Sequence, residues 1–219
     1  GTKKATLKIT AMKFEKGIKM LLVSSYPPRE CGLATFSNDI VNAVELVFGN
    51  TLPIEVCALE NNNHRFTYND EVKYTLAASC LDEYRQVAEK INERNDIGLV
   101  CIQHEFGLFG GEYGDYILSF ILALNKPIVT VFHTVLPNPD EKRKKVVHAI
   151  ADLSDRIIVL TKNSQTLLTT HYDCPKAKTI VIPHGTHSIL WEQKEKLKIK
   201  YGFSDRIVLS TFGLISENK

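Results

Sequence analysis

The sequence contains no long apolar run. Its first apolar stretch, Met20 to Val23, is far too short for a signal or membrane helix, so no transmembrane segment is expected. It also lacks an excess of either charge. Lys and Arg number 27 against 25 Asp and Glu, and part of that surplus lies in Lys3, Lys4, Lys8, Lys13, Lys16 and Lys19. A basic face tracking phosphates would need clustered Lys and Arg with stacking aromatics, so no nucleic-acid partner is expected. Cysteine is sparse and unpaired in pattern: Cys31, Cys57, Cys80, Cys101 and Cys174 form no CxxC pair. They read as free thiols in a reducing compartment, and a cytoplasmic location follows as the expectation. Cys57 and Cys101 sit in apolar runs as core fillers, and Cys31 is the one cysteine in a loop near a candidate site. There is no GxGxxG fingerprint, no P-loop, no DxD cluster and no Cys/His ligand spacing, so neither a metal nor a resident cofactor is expected.

What is present is the composition of a folded globular chain, 44% hydrophobic and 24% charged over 219 residues. Apolar runs at 18–24, 54–59, 72–76, 97–103, 128–132, 157–160 and 179–182 predict strands. Between them, helical spacing predicts helices over 34–48, 81–92, 113–124, 142–153, 164–171 and 192–201. In the first helix the predicted buried stripe is Phe36, Ile40, Ala43, Val44 and Val47. Short strands alternating with amphipathic helices imply right-handed βαβ crossovers, hence an α/β, doubly wound parallel sheet of Rossmann-like kind. A further apolar strand is predicted over 207–212, followed by Gly213. The expected organisation is an N-terminal arm or tag remnant over 1–17, a Rossmann-like domain over 18–204, and the first strand and loop of a second domain over 205–219.

Open parallel sheets bind ligands outside the carboxyl ends of their strands. Four such ends carry polar or glycine-rich clusters: Arg29-Glu30-Cys31-Gly32, Gln103-His104-Glu105-Phe106-Gly107, His133-Thr134 and His184-Gly185-Thr186-His187. Gly32 precedes a helix whose free N–H groups favour an anion, which suits a phosphate. Alternatively Gly32 makes only a turn, and Thr35 or Ser37 caps the helix. His104 with Glu105 suits the orientation of a hydroxyl, with Gly107, Gly110 and Gly111 allowing close backbone approach to a ligand. The competing reading is a structural histidine at a strand end. His133 suits hydrogen bonding or base chemistry on a bound hydroxyl. Lys142-Arg143-Lys144-Lys145 reads as a solvated helix face, and Trp191 as a packing residue at a domain joint.

Together these motifs resemble the family-four retaining glycosyltransferases, two-domain enzymes of the GT-B fold. Tyr26-Pro27-Pro28-Arg29-Glu30-Cys31-Gly32-Leu33-Ala34-Thr35-Phe36 is similar to their first glycine loop, in a bacterial Pro-Pro-Arg-x-Cys-Gly version. His104-Glu105, Phe132-His133-Thr134 and Ile182-Pro183-His184-Gly185 match the family's later strand-end motifs in order and spacing. Phe212 to Lys219 stands where members carry Gly-Arg-Leu-x-x-x-Lys-Gly, with Leu214 in place of the usual Arg and Lys219 in place of the Lys.

The resemblance implies transfer of a sugar from a nucleotide-sugar donor, a UDP- or GDP-sugar, to a carbohydrate or other hydroxyl acceptor, with retention and without a metal. It implies His133 as the catalytic-site histidine and Gly32 and Lys219 at the donor phosphate. Arg29, Glu30, His104, Glu105 and Thr134 are implied on the acceptor side, and His184 and Gly185 at the interdomain linker. The chain's own C-terminal domain is then a partner, and a fragment ending at Lys219 is expected to be inactive alone. A sugar-nucleotide epimerase, a phosphorylase relative or a non-catalytic regulatory domain on the same scaffold are the alternatives.

Overall fold

The computed structural model describes residues 17–61, 65–186 and 191–211. The expected 1–17 arm, apart from Gly17, lies outside the described residues, as do His187, Gly213, Leu214 and Lys219. Among the described residues seven strands run in chain order: β1 (Lys19–Ser24), β2 (Ile54–Glu60), β3 (Val72–Ala77), β4 (Ile97–His104), β5 (Ile128–Phe132), β6 (Arg156–Val159) and β7 (Thr179–Val181). Helices α1 (Gly32–Phe48), α2 (Leu81–Asn92), α3 (Ile117–Ala123), α4 (Glu141–Leu153) and α5 (Lys162–His171) connect them. All strand pairings are parallel and the spatial order is β3-β2-β1-β4-β5-β6-β7. The sheet is therefore the predicted doubly wound, Rossmann-like α/β architecture.

Both faces of the sheet are covered, which is why the central strands are continuous apolar runs rather than alternating ones. In β1, Leu21 and Val23 pack into a core shared with α2, α3 and α4, while Met20 and Leu22 pack with Val41 of α1. The buried stripe of α1 differs from the expected one. Ala34, Ser37 and Val41 are buried, with Val44 and Phe48 packed beside them, whereas Val47 is 53% exposed. Both stripes obey helical spacing, and the choice falls to a polar contact invisible in an apolar count: the Ser37 hydroxyl donates to Ser24 Oγ at 2.6 Å, both residues fully buried. The rotation leaves Phe36 facing elsewhere.

The helix expected over 113–124 begins later. Gly111, Tyr113 and Gly114 all have positive φ, so residues 112–114 make a single tight turn and α3 starts at Ile117. The chain divides into two compact units, the first ending at Ile182 and the second starting at Pro183, earlier than the expected boundary at 204. In the second unit α6 (Lys194–Lys200) ends at Gly202, whose φ of +72° provides the left-handed residue of a helix stop. The strand expected from 207 is not formed over 207–211: Ile207 and Leu209 are more than 90% exposed, and no strand edge within that unit's described residues receives them. Trp191, expected to pack at a joint, is 83% exposed.

At the amino ends of the strands an ion cluster ties β1, β2 and β4 together. Lys19 Nζ lies 2.7 Å from Glu55 Oε1 and 3.1 Å from Asp96. Arg94 lies 2.7 Å from Asp96 and 3.1 Å from the same Glu55 oxygen. The hydrogen bonds from Arg94 hold the Asp96 carboxyl well below its usual range. Burial alone would raise the Glu55 carboxyl, but hydrogen bonds from Lys19 and Arg94 outweigh it and hold it low. The unfolded chain thus binds protons that the folded chain refuses, so this stabilisation is complete above about pH 5 and is lost as pH falls through and below about 4. Glu55→Gln should lower stability by about 2 kcal/mol at neutral pH, between the exposed and buried limits for a broken pair. Denaturant titration at pH 7 and pH 3.5 should show the difference between variant and parent shrinking at the lower pH.

Candidate functional site

The sheet order reverses between β1 and β4, since β1 proceeds outward to β2 and β3 while β4 proceeds the other way to β5, β6 and β7. Loops leaving neighbouring strands in opposite directions open a crevice at their carboxyl ends. The β1–α1 loop, the end of β4 and the end of β5 line it.

On the β1 side, α1 starts at Gly32 and its cap is Cys31. The Cys31 sulfur accepts from the Ala34 N–H at 3.4 Å and lies 3.2 Å from Ser25 Oγ. The cap is thus neither Thr35 nor Ser37: the Thr35 hydroxyl turns back to the Cys31 carbonyl and Ser37 faces the core. No acidic side chain lies in the first turn of α1, so the positive end of the helix dipole is not neutralised by its own sequence. Gly32 is exposed, and a Cβ placed there would meet nothing within 4 Å. Neither backbone conformation nor packing within the chain demands glycine at this position. Arg29 reaches the Leu59 carbonyl at the end of β2, at 3.4 Å, and Glu30 is exposed.

On the β4–β5 side, pairing puts His104 beside Phe132, and the His133 N–H donates to the His104 carbonyl at 3.1 Å. The His133 ring Nε2 lies 2.8 Å from Gln103 Oε1, and its ring packs at right angles to Phe36, with centroids 4.8 Å apart. Phe36 sits one turn into α1, so the rotation of that helix joins the two sides of the crevice. Thr134 donates to Glu105 Oε2 at 2.6 Å, and the other Glu105 oxygen accepts the Phe106 N–H at 3.0 Å. Glu105 and Thr134 therefore lock one another and fix the two strand-end loops.

His104 departs from its expected place in an acceptor cleft. Its side chain is fully buried among Phe106, Phe109 and Phe132, with centroid distances of 5.4, 5.8 and 4.9 Å. Strand alternation explains this: if Gln103 faces His133, its neighbour His104 must face the opposite, helix-covered side. Burial pushes the His104 ring down to about 3, with the nearby His133 adding to the effect. Gly110 and Gly111 serve internal packing instead of a ligand, for a Cβ on Gly110 would stand 2.1 Å from the Ala78 carbonyl and one on Gly111 would stand 1.8 Å from Asp115. The Lys142–Lys145 run is not uniformly solvated either. Arg143 lies over the Tyr113 ring at 4.3 Å and the Phe106 ring at 5.4 Å, tying α4 to the loop after β4.

His184 and Gly185 are exposed and belong to the second unit. Beyond the crevice, a cavity of about 460 Å³ opens at the ends of β2 and β3, lined by Glu60, Asn61, Arg65, Phe66, Thr75 and Glu83. Glu60 and Glu83 are each held through one oxygen, by the Phe66 N–H at 3.3 Å and the Ala77 N–H at 2.9 Å. Sequence reasoning named Gln103 in a strand-end cluster and Phe36 in a buried stripe but gave neither a part in the site, and it missed this cavity. The one available signal was a glutamine closing an otherwise apolar strand. Among the described residues no group of three or more His, Cys, Asp or Glu stands together as a metal-ligand set, and no helix is long and apolar enough to cross a membrane.

The family model for Glycosyltransferase Family 4 matches residues 59–188, more than half of the chain. The chain belongs to Glycosyltransferase Family 4. The match covers β4, β5 and the His133 strand end but not the Gly32 loop. Among solved structures the chain is similar in fold to a glycosyltransferase from Rickettsia africae ESF-5, at 14% identity and a TM-score of 0.54, covering 85% of this chain and 50% of that one. It is also similar to an alpha-glucosyltransferase solved in complex with UDP and a 13-mer DNA, at 11% identity and a TM-score of 0.50, covering 75% of this chain and 41% of that one. The chain thus spans half or less of the length of these glycosyltransferases and has the fold of one Rossmann-like half of a GT-B enzyme. No curated protein matches it by sequence.

His104 should make the family domain acid-sensitive above the carboxylate range. Its folded value lies near 3 and its unfolded value near the ordinary ~6.5, so the unfolded state takes up a proton the folded state refuses. The contribution is complete above about pH 6.5 and declines as pH falls toward the folded value. His104→Phe should flatten the dependence of melting temperature on pH between about 6.5 and 5.5, where the ordinary carboxylates are still almost fully ionised. An unchanged slope in that window would show that the buried ring does not control it.

Proposed function

We propose that this chain is the acceptor-side half of a metal-independent, retaining glycosyltransferase that uses a nucleotide-sugar donor. The observation that carries the reading is the convergence, at the point where the sheet order reverses, of an unneutralised helix start at Gly32 with the His133 strand end. UDP bound to a fold neighbour supports a uridine or related nucleotide sugar as donor, and the family assignment supports sugar transfer. In such a transfer the bond from the anomeric carbon to the diphosphate oxygen breaks, one from that carbon to the acceptor oxygen forms, and the acceptor's hydroxyl proton passes to the departing diphosphate. Negative charge gathers on the departing diphosphate. The start of α1, worth roughly half a positive charge, and its backbone N–H groups suit that charge, and Gly32 leaves room for it to approach.

In this reading His133 orients the sugar or acceptor by a hydrogen bond, held by Gln103 on one side and Phe36 on another. Arg29 and Glu30 contribute to the acceptor side, and the Glu60–Glu83 cavity offers polar space for an extended acceptor. Glu105 and Thr134 act by fixing the loop. The 205–219 segment opens a donor-binding domain, with Lys219 pairing with the diphosphate and the region of His184 and Gly185 serving as linker. A cytoplasmic location and membership of the Pro-Pro-Arg-x-Cys-Gly branch belong to the same proposal.

In the full-length protein, His133→Ala should cut turnover by at least about 10²-fold, the scale of a lost positioning or transition-state contact, with the melting temperature little changed. Rates near those of the parent protein would make His133 structural. Residues 1–219 alone should show no transfer from any nucleotide sugar, because one wall of the cleft would be missing; measurable turnover would refute the half-enzyme reading.

A further inference from the structure

The side chain of Gln103 is almost completely buried, 2% exposed, yet it lies on an apolar strand where no structural requirement for an amide is evident. Its two ends are divided between two partners. The amide nitrogen donates to Cys101 Sγ at 3.4 Å, and the amide oxygen meets His133 Nε2 at 2.8 Å. Cys101 is itself buried, and burial pushes its thiol up to about 12, so it stands beside the amide as a neutral group and draws no proton from the pair. An amide oxygen only accepts, so the ring nitrogen facing it must carry the hydrogen. In the neutral ring the lone pair then belongs to Nδ1.

We propose that Gln103 is a positioning residue that fixes His133 as the Nε2–H tautomer, with its Nδ1 lone pair as the ring's hydrogen-bond acceptor. The ring is also held by Phe36, packed edge to face, and by its backbone N–H on the His104 carbonyl, so tautomer and orientation are set together. The consequence deepens the transferase reading and rests on it: a neutral His133 would accept a hydrogen bond from a hydroxyl of donor or acceptor through Nδ1, and would not donate one. Cys101, two residues before Gln103 on the same face of β4, thereby acquires an indirect part in the site, since in this arrangement its sulfur accepts from the amide nitrogen.

The test needs no sugar, so its result is independent of whether the activity is transfer. Nitrogen-15 spectra of the histidine rings in this chain, recorded at about pH 8.5, two units above the ordinary histidine value, report which nitrogen is protonated. The proposal predicts the His133 proton on Nε2 and an unprotonated Nδ1. It further predicts that Gln103→Leu moves both nitrogens toward tautomer-averaged values, and that Gln103→Glu, which also accepts, restores the Nε2–H form. A proton on Nδ1 in the unaltered chain would overturn it, for the amide would then be reversed, with the thiol donating to its oxygen. So would a His133 spectrum unchanged by Gln103→Leu. If Gln103→Leu does not fold, the spectrum of the unaltered chain decides alone. In the full-length protein, with the transferase reading accepted, Gln103→Leu should lower kcat by more than it raises KM, and Gln103→Glu should recover part of the loss.

Discussion

The reversal of strand order between β1 and β4 is the constraint on which the site depends. Two crossovers leaving adjacent parallel strands in opposite directions cannot close over the sheet edge between them, so a crevice is forced on the backbone before any side chain is chosen. What the sequence adds is the furniture of that crevice. The β1–α1 loop delivers a positive helix end with no acidic residue in its first turn and an open glycine, and the ends of β4 and β5 deliver Gln103, Glu105, His133 and Thr134 side by side. The Ser37–Ser24 hydrogen bond sets the rotation of α1 that carries Phe36 onto the His133 ring, so a buried contact in the core governs a surface geometry.

The two edges of the sheet are stabilised by different physics. At the amino ends, Lys19, Glu55, Arg94 and Asp96 form a compact charged cluster that ties three strands together. At the carboxyl ends the contacts are mostly neutral or singly charged: amide to imidazole, hydroxyl to carboxylate, aromatic edges on histidine rings. Charged side chains at this end, such as Arg29 and Glu105, stand apart and bond to neutral groups rather than to one another, and several of the residues there are locked in position. Glu105 uses both oxygens within the chain, and His104 is sealed beneath three phenylalanine rings.

The strands and the doubly wound class were legible in the sequence because continuous apolar runs and helical spacing leave few alternatives. The location of His133 and of the Gly32 loop at the carboxyl ends of β5 and β1 was legible because strand ends in this class are where polar residues converge. The errors share one cause. Apolar spacing locates a stripe but not its rotation when polar residues take part, as Ser37 shows, and a histidine at a strand end does not announce which face it occupies. For His104 the parity relative to Gln103 decides, and parity was readable only once Gln103 was known to face His133. The glycines at 110 and 111 were misread for a related reason: Ala78 and Asp115, the groups they accommodate, are distant or unremarkable in sequence. The strand expected from 207 met the limit that a strand needs an edge to join.

The central claim is that the crevice between β1 and β4 receives the diphosphate of a nucleotide sugar at the start of α1. A crystal structure of the full-length protein with a nucleoside diphosphate bound tests it most directly. The account predicts phosphate oxygens within hydrogen-bonding distance of the Gly32 or Leu33 N–H, with the His133 side chain bordering the same cleft. A diphosphate bound away from the start of α1, with Gly32 open to solvent, would contradict it.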